Sequence, residues 1–174
     1  MKKIPHDPNE IIALVNEKDE VIGKATRKET HEKGALHREV FVIIQNRKNE
    51  ILLQKRKDNL LWDSSSGGHF PHNQTYEEAA IREVFEELGV KIKKTDLEKV
   101  AKEEIHSTKI VNNRIVEIFL IKKDFKLAEF NIDKMELEEV KYFSKTELKQ
   151  MLKKENQTTG VVAKILKKYF LVNK

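Results

Sequence analysis

A chain of 174 residues with 39 % hydrophobic content can bury the core of one ordinary domain, taken here as residues 1–174, and is too short for two. It has no cysteine, which excludes disulfides, thiolate metal sites and a cysteine nucleophile and fits a reducing cytosol. The amino-terminal Met1–Pro8 is polar and the longest apolar runs, such as Val40–Ile44, are far below membrane-spanning length, so a cytoplasmic protein is expected.

In chain order, Ile11–Val15 and Val21–Arg27 are predicted strands of a hairpin over about residues 10–28, turning at Asn16–Asp19. Val40–Gln45 and Ile51–Lys55 follow around Asn46–Asn49. Thr75 with Glu78 three residues on is a capping box that opens a helix, and Gly89 after Leu88 is its stop. Ile81, Val84, Phe85 and Leu88 form an apolar stripe expected to be buried, with Glu83, Glu86 and Glu87 on roughly the opposite side. Val100–Ser107 and Ile115–Lys122 are predicted strands joined near Asn112–Asn113, and Val140–Phe143 is another. Ser144 and Glu147 make a second capping box for a helix to about Lys153, and a last helix runs from about Gly160 to Leu171, so that helices occupy about 144–171. Strands before and after a central helix, with helices at the end, predict a mixed sheet covered on both faces.

The net charge of +5 gathers toward the end of the chain, in Lys145, Lys149, Lys153, Lys154, Lys164, Lys167, Lys168 and Lys174. Val161, Val162, Ile165, Leu166, Tyr169 and Phe170 recur among them at helical spacing, so these lysines are expected to form the wet face of a core-packed helix and not a nucleic-acid patch. Trp62, beside Leu60 and Leu61, is expected in the core rather than stacked on a base.

The chemistry concentrates in the central helix. Like charges at i, i+3 and i+4 oppose a helix by about 0.2–0.5 kcal/mol per pair, so Glu83, Glu86 and Glu87 suggest a neutralising cation. All-oxygen ligands favour Mg²⁺, Mn²⁺ or Ca²⁺. Arg82 is within reach of Glu78 and Glu86 and can hold a ligand carboxylate in place. The small residues Ser64–Gly68 just before it let backbone approach a metal or phosphate closely.

Residues 68–90 resemble the Nudix box, G-x5-E-x7-R-E-U-x-E-E-x-G-U with U aliphatic, at Gly68, Arg82, Glu83, Val84, Glu86, Glu87, Gly89 and Val90; Gln74 stands where that family has Glu. The resemblance implies an α/β/α sandwich, Mg²⁺ or Mn²⁺ held by Glu83, Glu86, Glu87 and Gly67, and catalytic roles for Glu83, Glu86 and Arg82. It also implies a further acid from before the last strand, for which Glu136, Glu138 and Glu139 are the choices. Residues 12–23, 29–38, 53–56 and 61–63 resemble the Nudix subgroup related to isopentenyl-diphosphate isomerase. His37 and His69 match two of that isomerase's metal-binding histidines, as contacts to a second metal or to phosphate, whereas His31 is offset by one residue from a third and is not carried over. The isomerase's cysteine position falls on Gly67, and glycine can neither donate nor accept a side-chain proton.

The expected activity is metal-dependent hydrolysis of a phosphoanhydride in a nucleoside diphosphate linked to another moiety, or in a related small diphosphate. The alternatives are a regulatory binding domain, which Gln74 keeps open, and an isomerase, which the missing cysteine argues against. The partner expected is a small-molecule diphosphate, without membrane or nucleic acid; a homodimer is open.

Overall fold

The computed structural model describes residues 7–107, 111–154 and 156–172; Lys174 and the polar start, Met1–His6, lie outside them. The order is β1 (Ile11–Val15), β2 (Val21–Thr26), α1 (Arg27–Lys33), β3 (His37–Gln45), β4 (Ile51–Arg56), β5 (Trp62–Asp63), β6 (Ser66–His69), α2 (Tyr76–Leu88), β7 (Glu98–Ser107), β8 (Asn112–Lys122), β9 (Leu137–Phe143), α3 (Lys145–Met151) and α4 (Gly160–Ile165). A π-helical turn, Leu166–Phe170, extends α4.

Strand β3 is the hub of one mixed sheet. It runs parallel to β8 and antiparallel to β1, to β6 along Glu39–Val42 and to β4 at Ile44–Gln45. Its unbroken apolar run is explained by burial on both faces. Val40, Val42 and Ile44 pack with Phe119 and Ile121 under Tyr76, Ala80, Val84 and Leu88 of α2. The alternate residues Phe41 and Ile43 pack with Ile118 and Leu120 toward Leu148, Val162, Ile165 and Leu166 of the last helices. This is the expected α/β/α layering.

Local chemistry sets the turns. Asn16 Oδ1 accepts the Lys18 and Glu20 amides, and Asn46 Oδ1 accepts those of Lys48 and Glu50. Each turn closes on a left-handed residue, Asp19 at φ 63° and Asn49 at φ 60°. Trp62 packs edge-on to Phe143 at 4.7 Å, as a core residue would. Lys164, Lys167 and Lys168 face solvent while Val162, Ile165 and Leu166 are buried.

Three expectations change. Phe85 is 51 % exposed, because α2 turns Glu83 and Glu87 inward beside Val84 and Leu88. Asn112 and Asn113 begin β8 instead of forming the turn before it, paired with Ser107 and His106. The segment 27–33 is a helix, with Thr26 and Glu29 in a reciprocal capping box and Gly34 at φ 63° ending it.

Candidate active site

Pleating decides what stands on each face of β3. Going back from Ile43 and Phe41, the same face carries Glu39 and His37, where α3 and α4 no longer cover it. In register beside them, β8 supplies Arg114 opposite His37, and β6 supplies His69 opposite Glu39 and Gly67 opposite Phe41. This polar floor opens a cleft of about 780 Å³ walled by α1, β6, the acidic edge of α2 and the start of α4.

Strand β6 lets the two faces of the sheet share that cleft. Gly67 has no room for a side chain, since a Cβ there would press on the Val40 carbonyl and stand 3.0 Å from the Phe41 ring. A Cβ on Gly68 would stand 3.0 Å from Glu83 Oε1. With no side chains in between, carboxylates of α2 reach the cleft from behind the strand. Glu83 and Glu87 are 2 % and 5 % exposed and both line it. Glu87 Oε2 accepts from Ser66 Oγ at 2.5 Å and from the Gly67 amide at 3.0 Å. Burial, and then the Glu83 carboxylate, hold the Glu87 carboxyl well above the usual range despite those two donors.

Arg82 organises the helix edge. Its Nη2 lies 2.7 Å from Glu83 Oε1 and donates to the His69 carbonyl at 3.3 Å, its Nη1 donates to Glu86 Oε2 at 2.7 Å, and its Nε donates to Gln74 Oε1 at 3.1 Å. Glu78 is taken by its capping box with Thr75. Glu86 is exposed and bonded to Arg82, outside the cleft lining. Of the three later acids, Glu136 lines the cleft, whereas Glu138 and Glu139 are exposed and Glu139 pairs with Lys55.

The histidines form a cluster that the sequence did not anticipate in full. His37 Nε2 and His69 Nε2 are 2.9 Å apart and His31 Nε2 is 3.4 Å from His69 Nε2; a ligating nitrogen from each lies within 4.8 Å of the others. The two turns of α1 carry His31 to the other two histidines despite its one-residue offset in the sequence. His37 Nδ1 bonds the Ala35 carbonyl at 2.9 Å, which places the proton on Nδ1 and leaves the Nε2 lone pair facing the cluster. Burial brings the His37 pKa down to about 4, and burial followed by the nearby Arg27 charge lowers that of His69 well below its usual value. All three are therefore neutral imidazoles near pH 7.

Several cleft residues had no functional reading from sequence, namely Arg27, Glu39, Arg56, Asp63 and Arg114, and Lys164 is expected from it only as part of a solvated helix face. Two had a signal. The Thr26–Glu29 capping pattern marks α1 and so Arg27, and an acidic residue inside the run His37–Gln45 marks Glu39.

A mixed sheet between helical layers, with a Gly-Gly strand set against paired buried glutamates of the adjoining helix, defines the Nudix architecture. The NUDIX domain family model matches residues 35–164, and the chain belongs to that family. An uncharacterised Nudix hydrolase of Listeria monocytogenes is 32 % identical over 144 residues, which cover 79 % of this chain and 82 % of that one. Isopentenyl-diphosphate delta-isomerase 2 of Homo sapiens is 30 % identical over 171 residues, covering 84 % and 74 %. A crystal structure from Deinococcus radiodurans, DR0079, shares the fold at a TM-score of 0.75 and 22 % identity, covering 92 % of this chain and 99 % of that one. Hydrolases and isomerases thus both stand among its relatives, consistent with a Nudix subgroup related to the isomerase. Among the described residues no helix is long and apolar enough to cross a membrane.

Proposed function

We propose that this protein hydrolyses a phosphoanhydride bond in a nucleoside diphosphate linked to another moiety, or in a related small diphosphate, using Mg²⁺ or Mn²⁺. The observation that carries this reading is the pair of buried carboxylates, Glu83 and Glu87, opening into the cleft past a strand without side chains. The donor set fits a hard divalent ion: carboxylate oxygens, with the Gly67 backbone alongside, and a buried Glu87 whose charge the neighbouring Glu83 carboxylate disfavours. Such an ion, when bound, neutralises phosphate charge and activates water.

The chain's own residues do the rest. Glu83 and Glu87, which line the cleft, are the proposed metal ligands there, and Glu86, held by Arg82 outside the lining, is proposed as a third ligand and, with Glu83, as a catalytic group. Arg82 is a positioning residue that holds Glu83 and Glu86, and Glu136 is the proposed additional acid. His37 and His69, with His31, are proposed to hold a second, transition-type metal, as neutral imidazoles sharing a convergence point do. His37 has the backbone-carbonyl partner on its other nitrogen that such ligands usually have. A cytoplasmic location is part of this reading.

The test is incubation of the full chain with nucleotide sugars, dinucleoside polyphosphates, nucleoside triphosphates and prenyl diphosphates, with Mg²⁺ or Mn²⁺ and with EDTA. Phosphate-containing products should appear only with metal. Glu83→Gln or Glu87→Gln should lower turnover by about a hundredfold or more, since changes one shell further out already cost about 10–100-fold. Unchanged rates in both variants would remove the site assignment. Isopentenyl diphosphate should take up no deuterium from heavy water, because Gly67 offers neither a proton-bearing group nor space for one.

A further inference from the structure

The hydrolytic reading leaves one wall of the cleft unused. There β8 presents Arg114, in register with His37 and next to Glu39 on the same face of the sheet. Arg114 is 9 % exposed. Its Nε stands 2.9 Å from Glu39 Oε2, yet the approach lacks hydrogen-bond alignment, and neither atom has a hydrogen-bond partner among the described residues. A buried guanidinium nitrogen that makes an ion pair but no aligned hydrogen bond keeps part of its bonding capacity unused, so an incoming acceptor has something to gain there. Arg27 of α1 lines the same wall. Arg27, Arg114, His31 and His69 all line this cleft, and Arg114 lies in register with the cluster histidine His37.

Spacing indicates what such a wall could receive. Strands β6, β3 and β8 are neighbours in that order, with Gly67 opposite Phe41 and Arg114 opposite His37, so the two backbones are about 10 Å apart across the sheet and about 13 Å along it, about 16 Å in all. A single phosphate held at the glycine strand does not span that gap. A second anion carried on a spacer does.

We propose that Arg114 sets substrate preference by receiving an oxyanion, phosphate or carboxylate, on the moiety attached to the diphosphate and apart from the scissile bond. The proposal rests on the hydrolase reading for the placement of the diphosphate. The guanidinium suits the task because its planar fork of donors matches either anion.

Two matched probe pairs test it: UDP-glucuronate against UDP-glucose, which differ by a carboxylate, and coenzyme A against dephospho-coenzyme A, which differ by a phosphate. Calorimetric titration of the full chain with Ca²⁺ in place of Mg²⁺ reads binding without needing turnover. At least one anionic member should bind on the order of tenfold tighter than its partner, the effect of one charge-assisted hydrogen bond. Which pair discriminates identifies the anion. That ratio should fall to about one in Arg114→Gln and survive in part in Arg114→Lys. The double variant Arg114→Gln, Glu39→Gln removes both buried charges together, guards against misfolding, and should lose the preference too. Equal affinities within both pairs, or a preference that survives in the glutamine variants, would overturn the assignment. Arg114-dependent binding without cleavage of any probe under Mg²⁺ or Mn²⁺ would instead support the anion site and count against the hydrolase.

Discussion

At position 74 a neutral amide stands where the Nudix pattern has a carboxylate, and its geometry shows how little that alters. Gln74 Oε1 accepts from Arg82 Nε at 3.1 Å, so the oxygen that orients the arginine is retained while one negative charge is lost. Neither Glu77 nor Glu78 replaces it, the first pairing with Lys94 and the second capping its own helix. Arg82 keeps its remaining donors on Glu83, Glu86 and the His69 carbonyl. Gln74→Glu should therefore leave turnover within about tenfold of the parent or raise it, with substrate preference unchanged, as positions behind the ligands usually modulate rate alone. Steady-state rates across the same substrate panel check this. An inert parent that gains activity with the substitution would favour the regulatory reading.

At the scale of the element, α2 shows where periodicity misleads. Its apolar residues form a tidy stripe in sequence, yet Phe85 faces out with the Lys91 ammonium 5.9 Å from its ring, and the buried side is completed by Glu83 and Glu87. A hydrophobic stripe identifies the helix but not how far it is rotated about its axis. That rotation is set by the packing of Tyr76, Ala79, Ala80, Val84 and Leu88 on the sheet, which carries Glu83 and Glu87 inward with them. The energetics should follow the structure: Phe85→Ser should alter stability by no more than about 0.5 kcal/mol, whereas Leu88→Ala, at 0 % exposure, should cost about 2–5 kcal/mol. Urea unfolding of the two variants separates the alternatives, and a large loss at Phe85 would contradict the observed rotation. Helix α1 is the converse case. Its caps were legible in Thr26, Glu29 and Gly34, but at seven residues it is too short to declare itself by periodicity.

Across the whole molecule, Asp19 ties the first hairpin to the rest. Its Oδ1 accepts from Arg38 Nε at 2.6 Å and from the Tyr76 hydroxyl at 3.2 Å, and its Oδ2 accepts from Lys102 Nζ at 2.5 Å, joining β3, α2 and β7. Burial pushes its carboxyl up, but the bonds and charges of Lys102 and Arg38 together outweigh this and hold it below the ordinary 3.8. A folded-state value below the unfolded one contributes stability that is fully present above the unfolded pKa and is lost as pH falls through the folded one. Asp19→Asn should cost on the order of 1 kcal/mol at neutral pH after solvent screening, with the gap to the parent closing as the pH falls below the ordinary 3.8. Urea midpoints at the two pH values measure it, and a gap that persists in acid would assign the loss to packing instead. By itself the sequence determined most elements and their order, because alternation, capping boxes and Asn turns are local, and it located the cluster of Arg82, Glu83, Glu86 and Glu87, because its spacing lies within one helix. The rotation of α2, the place of Glu136 and not Glu138 or Glu139 in the cleft lining, the entry of His31 into the cluster and the placing of Arg114 opposite His37 were decided by tertiary structure alone. Each depends on which strand lies beside which, and β3 meets β6 and β8 across separations of about 30 and 75 residues that no local pattern encodes.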